Sequence, residues 1–335
     1  MKTLVVGWFS FEKSMITAGD LEARDVACKW IESIGHTYDI ALAPPFSGGV
    51  NWRLVDPSTY SHVVFVCGPF HYYDAVAEFL HRFNSCRLIG LDLSMIKPIN
   101  VWNPFDVLIE RDSSAHSRPD ISFLLYQKPI PVVGIILVHP QPEYGDKGRH
   151  QVVNDAVSRL IHSQEMAAVP IDTCLDPNTT NLRNAAEIES LIARMDLVVT
   201  TRLHGTVFAI KNGVPPIVID PIVGGAKVLR HAETIGWSTV FTTDTLTDEA
   251  LQEAFAYCQT EAAREKAREC RERAIKMVEK IRDEFIAAMA VSGPSNSRID
   301  WPYEVEYPSV KEPTSPLTAI KKMVLSAKAL LRRGK

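Results

Sequence analysis

The residues best suited to chemistry are Arg202 and His204, in the tetrapeptide Arg202-Leu203-His204-Gly205. Arginine can bind a carboxylate or a phosphate through two parallel hydrogen bonds, and histidine can give or take a proton near neutral pH. Gly205 permits close approach of the backbone to a ligand. Either charged residue alone could be structural, because arginine often pairs with a carboxylate at a strand end and histidine can cap a helix. Together they predict a site for an anionic substrate with acid–base chemistry.

The sequence around this tetrapeptide predicts a strand that ends before it and a helix that begins near Gly205. The apolar run Asp196–Thr200 predicts a buried strand, and Thr206–Asn212, followed by Gly213, predicts a short helix. The tetrapeptide then lies at the carboxyl end of a parallel strand, where open α/β sheets bind ligands. The amino terminus of the helix adds free N–H groups and a partial positive charge.

Short apolar runs alternate with helical patterns along most of the chain, which is typical of parallel βαβ units and predicts an α/β fold. In the first half the predicted strands are Thr3–Phe9, Tyr38–Leu42, His62–Cys67 and Cys86–Leu91, and the predicted helices are Asp20–Ile34 and Tyr73–Phe83. In the second half the further strands are Val132–Val138 and Pro216–Ile219, and the further helices are Arg149–Ser163, Ala226–Ile235 and two within Thr247–Ala290.

A length of 335 residues predicts two domains. The polar stretch 112–120 contains proline, and a new apolar run begins at Pro131, so we place the boundary near residues 117–131. We predict an amino-terminal domain over residues 1–120, a carboxy-terminal domain over residues 131–290 and a tail over residues 291–335.

Composition narrows the expected partners and location. The formal net charge of -4 provides no general positive field, so nucleic acid is not an expected partner. The six cysteines show no CxxC spacing, and no cluster of His, Asp and Glu has metal-ligand spacing, so no metal is expected. The chain shows no signal peptide and no apolar run of membrane-spanning length, which predicts a cytoplasmic protein.

The segment Leu317–Lys335 has apolar residues at helical spacing and six basic residues, with no acidic one. A basic amphipathic helix can lie on an anionic membrane, so this segment could make peripheral contact at the inner face of the membrane. The alternative is an ordinary packed or frayed terminal helix.

The run Asp196–Asp220 resembles the polysaccharide pyruvyl transferase family. The matching residues are Arg202-Leu203-His204-Gly205, Ala209, Gly213 and Pro215. Lys227, after Gly225-Ala226, also resembles the family, which commonly has a lysine shortly after the strand that corresponds to Pro216–Ile219. Near the amino terminus, Ala18-Gly19-Asp20 resembles a reduced form of the family's Asn-x-Gly-Asp loop, with Thr17 where asparagine is usual.

The resemblance implies two Rossmann-like domains facing a cleft, as in glycosyltransferases of the B type, with carboxy-terminal helices and a tail. It implies transfer of a pyruvyl group from phosphoenolpyruvate onto two hydroxyls of a sugar, which forms a cyclic ketal and releases phosphate. Phosphoenolpyruvate is then the co-substrate, with no further cofactor. The acceptor would be a sugar of a polysaccharide, such as an exopolysaccharide, or of a glycan precursor that could be lipid-linked.

The resemblance also suggests roles for individual residues. Arg202 would bind the anionic groups of the donor, and His204 would transfer a proton or bind phosphate, with Asp20 as the third catalytic residue. The donor-binding set is Arg202, Leu203, His204, Gly205, Lys227, His139 and Arg149. His139 follows the first strand of the second domain, and Arg149 follows a Gly-rich basic loop; a surface role for Lys227 and for this loop is the alternative.

The acceptor-binding residues expected in the first domain are Gly19, Asp20, His71 and Tyr72. Gly19 and Asp20 lie between the first strand and the first helix, where Asp20 could orient a hydroxyl, act as a base or simply be the N-cap residue. His71 and Tyr72 follow another strand, and aromatic faces stack on sugars. A loop that only packs on the domain is the alternative.

Two other functions remain open from the sequence. A glycosyltransferase of the same fold would use Arg202 and Lys227 to bind the diphosphate of a nucleotide-sugar. A non-enzymatic relative would bind a glycan or a phosphate ligand without turnover, and Thr17 in the amino-terminal loop is compatible with it.

Overall fold

A computed structural model describes residues 1–12 and 15–290 of the chain. The predicted tail over residues 291–335, with its basic segment Leu317–Lys335, lies outside the described residues. The chain divides between Ile130 and Pro131 into two compact units. In the described part of the chain, no helix has both the length and the apolar character needed to cross a membrane.

Unit 1, residues 1–130, is built on a five-stranded parallel sheet. Its strands are β1 (Lys2–Val6), β2 (Thr37–Ile40), β3 (His62–Val66), β5 (Arg87–Leu91) and β7 (Val107–Ile109), in the order β2-β1-β3-β5-β7. Two helices, α1 (Ala18–Ser33) and α2 (Asp74–Arg82), connect strands of this sheet. Two short strands beyond the carboxyl ends, β4 (Pro69–Phe70) and β6 (Ser94–Met95), pair in parallel with each other.

Unit 2, from Pro131, contains a second five-stranded parallel sheet. Its strands are β8 (Val132–Ile136), β9 (Ala167–Pro170), β10 (Leu197–Thr200), β11 (Pro216–Asp220) and β12 (Val240–Thr242), in the order β12-β11-β10-β8-β9. Its helices are α3 (His150–Ser163), α4 (Ala185–Ile192), α5 (Leu203–Lys211), α6 (Lys227–Ile235), α7 (Asp248–Cys258) and α8 (Glu261–Ala290).

Both sheets carry apolar clusters on their two faces. This is expected for parallel sheets, because the connecting helices cover both faces. Successive residues of β1 alternate between two apolar clusters: Leu4 and Val6 pack with Phe65, whereas Val5 packs with Val64. The sheet of unit 2 likewise has one apolar cluster on each face. The α/β fold with two Rossmann-like units is therefore confirmed. The cleft between the domains stays a prediction.

Several predicted boundaries were wrong by a few residues. β1 ends at Val6 rather than Phe9, because a short 3-10 turn begins at Trp8. β3 ends at Val66 because Cys67 has a left-handed backbone, with φ of 61°. α5 begins at Leu203 rather than Thr206, because Arg202 has an extended backbone and serves as the N-cap. Five strands and one α-helix had no predicted counterpart: β4, β6, β7, β9, β12 and α4.

Candidate functional site

The tetrapeptide Arg202–Gly205 forms the junction between β10 and α5. Arg202 is the N-cap of the helix, and Leu203, His204 and Gly205 form its first turn. The first N–H group to bond within the helix is that of Thr206, which donates to the carbonyl of Arg202 at 3.1 Å. The N–H groups of the three residues before it have no partner in the part of the chain that the structure describes. These groups give the junction a partial positive charge and free donors for an anion.

The guanidinium of Arg202 is held from two sides. Its Nε donates to the carbonyl of Leu137, just after β8, at 3.0 Å, and its Nη2 lies 3.4 Å from Oδ1 of Asp172. The side chain is 17% exposed, so it is desolvated enough to be ordered and still reachable from solvent. The two anchors use part of the five-donor fork and leave the other N–H groups for a ligand.

Asp172 organises this edge of unit 2, although the sequence analysis did not identify it. Its buried carboxylate accepts hydrogen bonds from His139 Nε2 at 3.1 Å, from the N–H and hydroxyl of Thr179, and from the N–H of Cys174. Burial opposes ionisation, but the N–H bonds from Cys174 and Thr179 and the bond from His139 outweigh it and lower the pKa of Asp172 to about 2. An ionised carboxylate only accepts, so His139 Nε2 is the donor.

Asp172 brings Arg202 and His139 together, two of the predicted donor-binding residues. A signal existed in the sequence, because Asp172 lies two residues beyond the end of β9. It was missed because β9 itself was missed. The segment Ala167–Pro170 ends in proline and is mostly exposed, so it lacks the apolar run of a central strand.

His204 is exposed in the first turn of α5, with its ring tilted against Phe208 at a centroid distance of 6.2 Å. A second histidine lies close by: His231 of α6 has its pKa lowered by burial and by the nearby His204. His231 was not a predicted site residue. It lies 27 positions further along the chain, on the helix after the next strand, so only the packing of α5 against α6 reveals the pair.

The loops that follow β8 and β11 meet, and β10 lies between these two strands in the sheet. The N–H of Arg149 donates to the carbonyl of Pro221 at 2.8 Å, and the N–H of Val223 donates to the carbonyl of Lys147 at 2.9 Å. The guanidinium of Arg149 donates to the carbonyls of Asp146 and Gly148 in its own loop. Arg149 therefore stabilises its loop, and a role in donor binding stays a prediction.

Lys227 is the exposed first residue of α6. The loop before it is shaped by the buried carboxylate of Asp220, which accepts hydrogen bonds from the N–H groups of Ile222, Ala226 and Leu229 at 3.1, 2.7 and 3.0 Å. Asp220 therefore fixes the start of α6 and the base of the lysine. Contact of Lys227 with a donor remains a prediction.

In the structure, the need for glycine at position 205 comes from packing, whereas the sequence suggested close approach of a ligand. Gly205 is buried, and a Cβ atom on it would lie 2.2 Å from Oγ1 of Thr200 and 3.1 Å from the side chain of Ile136. The glycine is therefore required for the close packing of α5 on β10 and β8. Close approach of a ligand to the backbone of Gly205 is not needed to explain it.

In unit 1, Asp20 is not the N-cap of α1. The N-cap is Thr17, and Asp20 is the third helical residue of a capping box. Its Oδ2 accepts hydrogen bonds from the N–H and the hydroxyl of Thr17, each at 2.8 Å. Thr17 thus has a clear structural role as the N-cap of α1.

Three of the four predicted acceptor-binding residues line one cavity of about 500 Å³ in unit 1: Gly19, Asp20 and His71. Tyr72 does not line it. Its side chain is 59% exposed and packs near Trp102, whereas the neighbouring Tyr73 lines the cavity. Trp8, Arg111 and Asp120 also line it and were not predicted, because they come from separate loops of the chain.

The fold also brings together Cys67, Asp92 and Asp120, whose ligand atoms lie within 4.8 Å of one another. Sequence spacing did not reveal this cluster. The guanidinium of Arg111 already lies among these atoms: its Nη1 bonds Asp120 and lies 3.6 Å from Cys67 Sγ and 3.9 Å from Asp92 Oδ2. Burial and the charge of Asp20 raise the pKa of Cys67 to about 12, so the thiol stays protonated. Arg111 supplies the positive charge that a metal would supply here.

Residues 115–221 match the model of the polysaccharide pyruvyl transferase family. The resemblance to this family is confirmed over that range. The range covers less than half of the chain, yet it includes β8, β10, α5 and the residues Arg202, His204, His139 and Asp172. The match supports a transferase.

Solved structures with detectable similarity include glycosyltransferases and an epimerase. The calicheamicin glycosyltransferase CalG4 is 12% identical over 88% of this chain and 99% of its own, with a TM-score of 0.32. The spinosyn rhamnosyltransferase SpnG, solved with thymidine diphosphate, is 13% identical over 82% and 96%, with a TM-score of 0.31. The UDP-GlcNAc 2-epimerase of Methanocaldococcus jannaschii is 10% identical over 84% and 100%, with a TM-score of 0.29. No curated protein matches the chain.

Proposed function

We propose that this protein transfers a pyruvyl group from phosphoenolpyruvate onto two hydroxyls of a sugar in a polysaccharide or glycan precursor. The products are a cyclic ketal and inorganic phosphate. The observation that carries the proposal is the junction of β10 and α5. There the anchored guanidinium of Arg202 adjoins the start of a helix, where three N–H groups have no partner among the described residues. The family match over residues 115–221 includes this junction.

The junction suits a donor with two anionic groups. A phosphate is favoured at a helix amino terminus, and a carboxylate pairs well with the fork of an arginine. Arg202 would bind the donor, with His139 and Lys227 as further cationic or hydrogen-bonding contacts. Asp172 would position Arg202 and His139 without contacting the donor, since its oxygens are already engaged.

The reaction needs proton transfer but no redox step. One sugar oxygen bonds to the C2 carbon of phosphoenolpyruvate while the methylene carbon gains a proton and becomes a methyl group. The second sugar oxygen then bonds to the same carbon, and the C–O bond to phosphate breaks. The two hydroxyl protons end on the methyl group and on the released phosphate, so the atoms balance without a cofactor.

His204 is the proposed proton donor or phosphate ligand. It is exposed in the first turn of α5, so its ring is accessible to a bound donor, and imidazole exchanges protons near neutral pH. On the acceptor side, Asp20 and His71 of unit 1 are the proposed contacts of the sugar. The cytoplasmic location, peripheral membrane contact through Leu317–Lys335 and a lipid-linked acceptor belong to the same proposal.

Binding of the donor can be tested before the acceptor is known. We expect phosphoenolpyruvate to bind the full-length protein in isothermal titration calorimetry and to raise its melting temperature. A His204→Ala variant should retain the fold and lose turnover, measured as phosphate release with a panel of sugar acceptors.

A nucleotide-sugar donor is the competing function. Stabilisation by thymidine or uridine diphosphate sugars, without stabilisation by phosphoenolpyruvate, would overturn the pyruvyl transfer and favour glycosyl transfer. Unchanged phosphate release in the His204→Ala variant would remove His204 from the mechanism while leaving the donor assignment standing.

A further inference from the structure

The cavity of about 500 Å³ in unit 1 combines an aromatic wall with an excess of carboxylates. Its volume lies in the range of small-molecule sites. We infer that this cavity binds an uncharged sugar ring and rejects sugars that carry a carboxylate. This inference rests on the proposed function, in which unit 1 supplies the acceptor, and it names the class of acceptor.

The aromatic wall is a fixed plane. His71 stacks on Trp8, with ring centroids 5.5 Å apart and an angle of 26° between the rings. Trp8 is itself fixed, because its Nε1 donates to the carbonyl of Pro69 at 3.0 Å. His71 is exposed, so its face away from Trp8 is accessible. An ordered aromatic face offers apolar area to the C–H side of a pyranose at little cost in conformational entropy.

His71 also presents a hydrogen-bond acceptor. Its Nδ1 lies 3.1 Å from the carbonyl oxygen of Tyr72. A carbonyl oxygen can only accept, so Nδ1 carries the hydrogen of this bond. In the neutral ring Nε2 then has a lone pair, which can accept a sugar hydroxyl.

The carboxylate of Asp20 is a second feature of the lining. Asp20 is 8% exposed, and both hydrogen bonds to its side chain, from Thr17, go to Oδ2. Within residues 1–12 and 15–290, Oδ1 accepts no hydrogen bond. Asp20 lines the cavity, so a hydroxyl or ammonium group of a bound ligand can donate a hydrogen bond to Oδ1.

The charge balance of the cavity selects against anions. Among the residues that the structure describes, its lining includes the carboxylates of Glu12, Asp20 and Asp120 and one permanently charged cation, Arg111. That cation is already paired with Asp120 and lies near the buried Asp92. A sugar carboxylate would therefore meet net negative charge at short range, whereas sugar hydroxyls would find acceptors.

The test measures sugar binding to the full-length protein in the absence of phosphoenolpyruvate, by saturation-transfer NMR with titration. The probes are the methyl glycosides of glucose, galactose and mannose, and the methyl glycosides of glucuronic and galacturonic acid. We expect at least one uncharged glycoside to bind with a Kd below about 50 mM and the uronic acids to bind about tenfold more weakly or not at all.

Two variants test the contributions of His71 and Asp20 separately. His71→Phe keeps an aromatic plane and loses Nε2, and Asp20→Asn keeps the shape and removes the charge; each should weaken binding of the uncharged glycoside about tenfold. The matched control is Trp30→Phe, an aromatic change on α1 outside this cavity, which should leave the affinity unchanged. Melting temperatures check that each variant folds.

Equal or tighter binding of the uronic acids, no binding of any uncharged glycoside, or unchanged affinity in both cavity variants would each overturn the inference. Failure of the proposed function gives a different result, because binding of phosphoenolpyruvate is measured separately. A protein that binds an uncharged glycoside in this cavity but does not bind phosphoenolpyruvate retains the inferred sugar site and loses the pyruvyl transfer.

Discussion

At the residue scale, the carboxylate of Asp172 sets the geometry on which the proposed donor site depends. One oxygen faces Arg202 and the other faces His139, while N–H groups of Cys174 and Thr179 hold the carboxylate in place. Arg202 alone could rotate freely on its long side chain. With Asp172 and the carbonyl of Leu137 as anchors, its remaining donors are pre-organised, which reduces the entropy lost when a ligand binds.

Replacement of Arg202 by lysine tests the geometry of the fork while keeping the charge. We expect the Kd for phosphoenolpyruvate to rise by roughly tenfold to a hundredfold, because a lysine ammonium cannot make two parallel hydrogen bonds to one carboxylate or phosphate. Calorimetric titration measures the change. The control is Arg183→Lys, at an exposed arginine paired with Glu187, which should leave the Kd unchanged. Wild-type affinity in Arg202→Lys would refute the predicted role.

The low pKa of Asp172 predicts a pH dependence of stability. The pKa is about 2 in the folded protein, against 3.8 for an unperturbed aspartate, so the ionised group stabilises the fold at pH values above about 4. This contribution, on the order of 2 kcal/mol, is lost as the pH falls through the folded pKa.

Urea unfolding of the wild-type protein and of Asp172→Asn, measured between about pH 5 and pH 2, tests this dependence. The free energy of unfolding of the variant should be lower near pH 5 and should fall less steeply with acidification. Identical pH slopes in the two proteins would contradict the assignment.

At the scale of elements, the helix α5 is pressed against β10 and β8 at its first turn. This packing places the N–H groups of Leu203 and His204 at the strand end, and neither group has a partner in the described part of the chain. It requires the absence of a side chain at Gly205, where a Cβ atom would lie 2.2 Å from Oγ1 of Thr200. A glycine in the first turn of a helix is costly in chain entropy, so its presence here reflects a steric need.

Substitution of Gly205 by alanine should destabilise the protein by about 1–3 kcal/mol, because the added methyl group overpacks a buried contact. The same substitution at Gly19, in the first turn of α1, should change stability by less than about 1 kcal/mol, since its nearest contact would be Thr17 Oγ1 at 3.6 Å. Chemical denaturation compares the two variants. Equal stability of Gly205→Ala and Gly19→Ala would show that the packing of α5 is looser than described.

At the scale of the whole molecule, each unit has its own parallel sheet with apolar clusters on both faces. The segment that leads from unit 1 to unit 2 is exposed: Phe123, Leu124 and Tyr126 have exposed fractions of 83%, 69% and 95%. Each unit therefore has its own apolar core, and the large side chains of Phe123, Leu124 and Tyr126 in the connecting segment are not buried in either core.

Limited proteolysis with chymotrypsin tests this organisation. We expect an amino-terminal fragment that ends between residues 123 and 126 to accumulate, because Phe123 is exposed in a single 3-10 turn and Tyr126 is exposed in the loop after it. Mass spectrometry identifies the fragment, and Tyr126→Ser should slow its formation. Early cleavage within a strand of either sheet would contradict two separately stable units.

The local patterns of the sequence were enough to identify the strand β10, the helix after it and the basic residues of the junction between them. They depend on neighbouring residues: apolar periodicity defines a strand or a helix, and glycine or a cap ends it. For the same reason, most central strands were predicted within a few residues. The family resemblance at Arg202–Gly205 also follows from a continuous run of sequence.

Only the tertiary structure revealed Asp172 beside Arg202, His231 beside His204, and Trp8 beneath His71. These pairs join residues that are 30, 27 and 63 positions apart. The order of parallel strands decides which loops meet at one edge of a sheet, and that order is set by burial across the whole unit. The edge strand β9 shows most clearly what local sequence patterns cannot predict. Its segment is short and exposed and has no apolar periodicity, yet the loop after it supplies the carboxylate of Asp172 that orients the proposed site.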